Sequence, residues 1–140
     1  MPKSRAFTVV EVLVVACAVL AMIVILAPFM RMAKDRANKI YCANNLRQIS
    51  LGLHKFALDH NGVFPDNLGA LYPDYVTSGT VFDCPGKKHS TVKSGPDYIY
   101  RAGLTESSAS DEIIVQDSEA NHAKSGKHIV RVDGSVEWAR

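Results

Sequence analysis

Residues 5–20 read R-A-F-T-V-V-E-V-L-V-V-A-C-A-V-L. One carboxylate, Glu11, stands near the start of a run that is otherwise apolar. The run continues well beyond this stretch: residues 12–30 are 19 consecutive positions without a charge. As an α-helix they rise about 28 Å, close to the thickness of a bilayer's hydrocarbon core. A carboxylate at the centre of such a span costs about 2.5–3.5 kcal/mol on insertion scales. Near the helix start the cost is smaller, and the positive end of the helix dipole favours a negative charge there. Two readings of Glu11 follow: it reaches the headgroup region, or it meets a cationic partner within the membrane.

The surrounding chain sets the limits. Its 140 residues leave room for one small domain plus an appendage. The hydrophobic fraction is 47%, unevenly spread, and the residues after the apolar run are polar and mixed. A net charge of +2 and the lack of a lysine-arginine stripe interleaved with aromatics exclude a nucleic-acid partner from the reading. The apolar run is longer than the roughly 7–15 residues of a secretory signal. No small-residue cleavage site follows it; Arg31, Lys34, Arg36 and Lys39 do. A membrane-anchored protein is therefore expected. Charge alone leaves its orientation near a tie, with Lys3, Arg5 and the amino terminus on one side and four basic residues on the other.

Lys3-Ser4-Arg5-Ala6 followed by Phe7-Thr8-Val9-Val10-Glu11-Val12-Leu13-Val14-Val15 resembles the amino terminus of type IV prepilins and type II secretion pseudopilins. The shared pattern is a short basic leader, a small residue, then Phe-Thr-hydrophobic-hydrophobic-Glu at the mouth of an apolar helix. The resemblance implies cutting by prepilin peptidase between Ala6 and Phe7, where the family usually has glycine in place of Ala6, and N-methylation at Phe7. It also implies a division into a cytoplasmic leader at 1–6, a transmembrane and assembly helix at 7–30, and a pilin-like head at 31–140. Pro28 fits the proline many pilin helices carry. In a filament, Glu11 of one subunit would pair with the new amine of a neighbour's Phe7, neutralising two charges that apolar surroundings penalise. Val14-Val15-Ala16-Cys17 loosely resembles a lipoprotein signal, but the apolar run continues for 13 residues past Cys17.

The helix is expected to outlast the membrane. Residues 31–60 contain no proline and no glycine before Gly52. Cys42, Leu46, Ile49, Leu53 and Phe56 recur at steps of four, three, four and three, the signature of one buried face. His60-Asn61-Gly62, with Pro65 soon after, reads as the stop. One helix from about residue 7 to residue 59, bent near Pro28, is therefore predicted. Beyond it, 66–71 reads as a short helical turn and 78–96 as a loop with Cys84-Pro85-Gly86 and Lys87-Lys88-His89. Strands are predicted at 97–102, 112–117, 128–132 and 135–138, the last two flanking the hairpin signal Asp133-Gly134. The expected class is α+β: a long N-terminal helix, membrane-spanning in its first half and amphipathic in its second, packed on an antiparallel sheet of 3–4 strands.

Cys42-Ala43-Asn44-Asn45-Leu46-Arg47-Gln48-Ile49, Phe64-Pro65, Cys84-Pro85, and His122 ahead of Asp133-Gly134 are similar to segments of pseudopilin-like proteins common in planctomycetes and verrucomicrobia.

Of the cysteines, Cys42 falls on the inward stripe and Cys84 in a loop expected to fold back on it. In an oxidising compartment a disulfide between them is feasible. It would close a loop of about 40 residues and stabilise by about 2–4 kcal/mol. The other reading is two independent thiols, one buried and one near the surface. The histidines form no compact ligand pattern, and Asp111, Glu112, Asp117 and Glu119 do not have the spacing of a known calcium loop. A Cys84-His89 nucleophile pair has no orienting third group. No metal, cofactor or catalytic residue is assigned, and Trp138 is expected to pack on the head.

Two functional classes result. In the first, the chain is a structural subunit of a type IV pilus-like or type II secretion pseudopilus filament and not an enzyme. Its partners are then like subunits, prepilin peptidase, an inner-membrane assembly platform and membrane lipid. It crosses the inner membrane once, amino terminus cytoplasmic and head periplasmic or extracellular. In the second, it is a monomeric membrane-anchored periplasmic binding or enzymatic domain. The second class leaves Phe7, Glu11, the leader and the linker-free helix unexplained.

Overall fold

A computed structural model of the chain describes residues 8–86, 97–118, 121 and 126–139. The fold is α+β. Its elements are the helix α1 (Val9–Asp59) and four strands, β1 (Tyr98–Tyr100), β2 (Ile113–Asp117), β3 (Lys127–Arg131) and β4 (Val136–Ala139). Two single turns of 3₁₀ helix, Leu68–Leu71 and Gly79–Phe82, lie between α1 and β1. The chain divides into two compact units, Met1–Arg36 and Ala37–Arg140.

In the first unit the described residues belong almost wholly to α1, which runs through Pro28 without interruption. Every side chain from residue 8 to residue 36 is exposed. Valines, leucines, isoleucines and Phe29 stand in the open on all sides of the helix. The helix contains an 18-residue window apolar enough to cross a membrane, with none of it buried. So much uncovered apolar surface on one element marks a lipid or protein contact.

In the second unit α1 turns amphipathic. Cys42, Leu46, Ile49, Leu53 and Ala57 form its buried stripe, all 1% exposed or less. The expected last member, Phe56, is only partly buried; Ala57 takes its place because small Ala57 lets the helix end approach the core while the Phe56 ring lies beside it, stacked on His60 at 3.8 Å. The helix stops as expected. Asn61 adopts φ 54°, Gly62 φ 80°, and the Gly62 N–H reaches back to the Ala57 carbonyl at 2.7 Å. Asn67, three residues ahead of Ala70, caps the first 3₁₀ turn by accepting the Ala70 N–H at 3.1 Å.

The sheet is an antiparallel meander in the order β1-β2-β3-β4. Tyr98 pairs with Asp117, Val115 with Val130, and His128 with Trp138. Asp133-Gly134 makes the expected turn between β3 and β4, with Gly134 at φ 84°. A bulge between Ile113 and Val115 breaks the alternation of β2, so Ile114 and Val115 are both buried though adjacent. Tyr98, Ile114, Val115, Val130 and Val132 join the helical stripe with Phe64, Leu71, Val76, Val81 and Leu104 in one core.

Candidate functional site

The described start of α1 holds the first site. Thr8 and Glu11 satisfy each other: the Glu11 carboxylate accepts from the Thr8 N–H and hydroxyl, both at 3.0 Å, and the Thr8 hydroxyl accepts the Glu11 N–H at 3.3 Å. This is a reciprocal capping box. The spacing Thr8-x-x-Glu11 was present in the sequence as its signal. Ala6 and Phe7, the expected processing residues, lie outside the described residues, as do His89, Glu119 and His122.

The second site is built inside the head from residues far apart in sequence. Cys42 is wholly buried on the helical stripe, and Cys84, just past the second 3₁₀ turn, is 4% exposed. Cys84 is thus not near the surface. Its N–H donates to the Asp97 carboxylate at 2.9 Å, and Asn121 Nδ2 donates to the Asp97 carbonyl at 2.6 Å. These bonds hold the Cys84 loop against the start of β1. The two sulfurs lie 3.0 Å apart without a disulfide between them, 42 residues from each other in sequence.

Asp117 closes the cluster. It ends β2, is wholly buried, and faces both the helix and β3. Oδ2 accepts from the backbone N–H of His128 and from its Nδ1, each at 2.9 Å. A carboxylate only accepts, so the His128 proton sits on Nδ1. The His128 ring is fixed edge-on to Trp138 at 4.6 Å between centroids, and Lys39 Nζ lies 4.5 Å from the Trp138 ring centroid. Oδ1 accepts from the Cys42 thiol at 3.0 Å. The single Cys42 proton being committed to Asp117, the Tyr98 hydroxyl is the donor in its 3.3 Å contact with Cys42 Sγ.

The electrostatics follow from this wiring. The hydrogen bond from Cys84, then burial, then the Asp117 carboxylate push the Cys42 thiol far above its ordinary value. Burial and the Cys42 contact push the Tyr98 phenol up as well. Burial works to raise Asp117, but the bonds from His128 and Cys42 outweigh it and hold the carboxyl below its ordinary value. A protonated Cys42 thiol therefore faces an ionised, buried carboxylate. The donor atoms of Cys42, Cys84 and Asp117 all lie within 4.8 Å of one another.

Of the oxygens weighed for calcium, among the described residues only Asp117 belongs to this cluster; Glu112 instead pairs with Arg101 at 2.8 Å. The sequence reading expected the Cys84 loop to fold back on Cys42 but missed Asp117 and His128, which lie far away along the chain. Only strand register places them together. The cluster has the geometry for either chemistry open to two adjacent sulfurs, oxidation to a disulfide or capture of a thiophilic cation.

The chain matches no family model, no curated protein and no solved structure.

Proposed function

We propose that this chain is a structural subunit of a type IV pilus-like or type II secretion pseudopilus filament. The observation that carries the reading is the single helix, Val9–Asp59, whose fully exposed apolar residues run without a break into the stripe that anchors the head. A tether for a monomeric periplasmic domain needs only a span and a linker. A filament subunit needs one helix that both packs with its neighbours and carries the head.

In this proposal prepilin peptidase cuts between Ala6 and Phe7 on the cytoplasmic face of the inner membrane. The helix spans that membrane once, and the head lies in the periplasm or beyond. An inner-membrane assembly platform then draws the subunit from lipid into the filament. Glu11 is the register device: a carboxylate in apolar surroundings is stabilised by a neighbour's Phe7 amine, and a one-residue slip leaves both charges unpaired. In the free subunit the capping contacts with Thr8 satisfy the carboxylate until that amine arrives.

Mass spectrometry of the mature protein from its native host tests this. A chain that begins at N-methylated Phe7 supports the proposal; an intact Met1 overturns it. Glu11→Leu is expected to insert and be cut but to be missing from filaments, and its normal incorporation would remove the pairing role.

A further inference from the structure

We infer that Cys42, Cys84 and Asp117 supply three ligands of a buried site for a thiophilic divalent cation, with Zn²⁺ as the matching ion. The inference is independent of the filament reading, because it concerns only the interior of the head.

The argument starts from Asp117. A wholly buried carboxylate is costly unless its charge is met. Hydrophobic residues of similar volume would fill the same space without that cost. Here the carboxylate is not only retained but aimed. His128 supplies two donors to Oδ2, which fixes the plane of the carboxyl group and leaves Oδ1 directed at the sulfurs. Ligating carboxylates are held by outer hydrogen bonds in this way. Tyr98 supplies the equivalent support on the sulfur side, its hydroxyl donating to Cys42 Sγ. That bond strengthens when the sulfur becomes a metal-bound thiolate.

The donors lie slightly closer together than a bound ion requires. Tetrahedral zinc with sulfur ligands at about 2.3 Å and oxygen at about 2.0 Å places its donors about 3.5–3.8 Å apart, so the close pairs must open by about 0.5–0.8 Å. The sulfurs here are separated by 3.0 Å, Cys42 Sγ and Asp117 Oδ1 by 3.0 Å, and no pair of the three donors by more than 4.8 Å. Small side-chain rotations admit the ion. The donor set, two sulfurs and one carboxylate oxygen, favours zinc over calcium or magnesium, which take oxygen ligands only.

A disulfide explains less of this arrangement. Oxidation joins the two sulfurs at about 2.05 Å and makes no use of the carboxylate oxygen aimed at them. Binding the cation instead exchanges charge in place: Zn²⁺ enters, both thiols become thiolates, and two protons leave to solvent. The positive ion then meets Asp117 directly. The ion also ties α1 to the Cys84 loop and the end of β2, three elements distant in sequence.

The test uses the full-length chain in detergent, purified from its native host without reductant and assayed for metal. The expected result is one zinc per chain, with Cys42 and Cys84 protected from thiol reagents until a chelator is added and the exposed Cys17 reactive throughout. Co²⁺ added to the apoprotein is expected to give thiolate charge-transfer absorption, lost on adding Zn²⁺, with two protons released per ion. Cys17→Ser is expected to leave binding unchanged. Asp117→Asn, checked for folding by circular dichroism, is expected to bind much more weakly, and His128→Ala to lose about 10–100-fold in affinity, as outer supports of ligands do. A chain short of two hydrogens with Cys42 joined to Cys84 would overturn the inference. So would Co²⁺ absorption that vanishes in Cys17→Ser, or wild-type protein whose buried thiols take up no metal.

Discussion

The Thr8 hydroxyl and the Glu11 carboxylate lie 3.0 Å apart at the start of a 51-residue helix, each closing a backbone donor of the other. An exposed carboxylate at the head of an apolar rod thus has a structural task in the single chain. Thr8→Ala removes one half of the box and is expected to weaken the first turn by about 1 kcal/mol. Amide exchange at Glu11, measured in micelles, should then quicken roughly fivefold while exchange near Leu46 stays unchanged. Equal exchange at Glu11 in both proteins would show that the cap contributes nothing there.

Leu46 and Leu51 lie five residues apart on α1 and differ in fate: the first is wholly buried, the second 57% exposed. Leu46→Ala is expected to destabilise the head by about 2–5 kcal/mol, through lost transfer energy plus a cavity. Leu51→Ala should fall within about 0.5 kcal/mol of the parent. Urea unfolding of the full chain in detergent, followed by Trp138 fluorescence, measures both. Similar midpoints for the two variants would contradict the placement of the stripe.

Gly52 sits inside α1, where alanine would ordinarily gain about 0.8–1.0 kcal/mol of helix propensity. A Cβ there would come within 2.7 Å of Val76 Cγ2. Gly52→Ala is therefore expected to destabilise, by about 1–3 kcal/mol, since overpacking outweighs propensity. Trimming the partner with Val76→Ala should relieve the clash, giving a favourable coupling of about 1 kcal/mol in a double-mutant cycle. A stabilised Gly52→Ala would mean the chain segment at Val76 is free to move away.

Tyr100 donates its hydroxyl to the Pro65 carbonyl at 2.6 Å, and burial, with Asp66 nearby, raises its phenol from the ordinary 10.0 to about 12. The folded state holds the proton more tightly than the unfolded chain does. The contribution is thus complete below pH 10 and is lost as pH rises toward 12. Unfolding midpoints taken across that range should fall, and Tyr100→Phe should flatten part of the slope. An unchanged slope in Tyr100→Phe would assign the alkaline loss wholly to other tyrosines, such as Tyr98, whose phenol is raised further.

Much of the architecture is local and so could be read along the chain. The apolar run, the steps of four and three from Cys42 to Leu53, the stop at Asn61-Gly62 and the hairpin at Asp133-Gly134 all depend on neighbours within a few residues. Each appears within a residue or two of its expected position, although β1 is shorter than the predicted strand at 97–102. The exchange of Phe56 for Ala57 was not legible, because it turns on how closely the helix end approaches the residues after it. The bulge that buries both Ile114 and Val115 depends on pairing with β3, not on anything in β2 itself.

By itself, then, the sequence determined a long helix with two unlike halves and the strands that cover the second, because hydrophobic period and turn chemistry act over short distances. Only the tertiary structure decided that Asp117 and His128 join Cys42 and Cys84. Their convergence depends on which strand pairs with which, in what register, and on which face of the helix the sheet closes; no spacing along the chain encodes it.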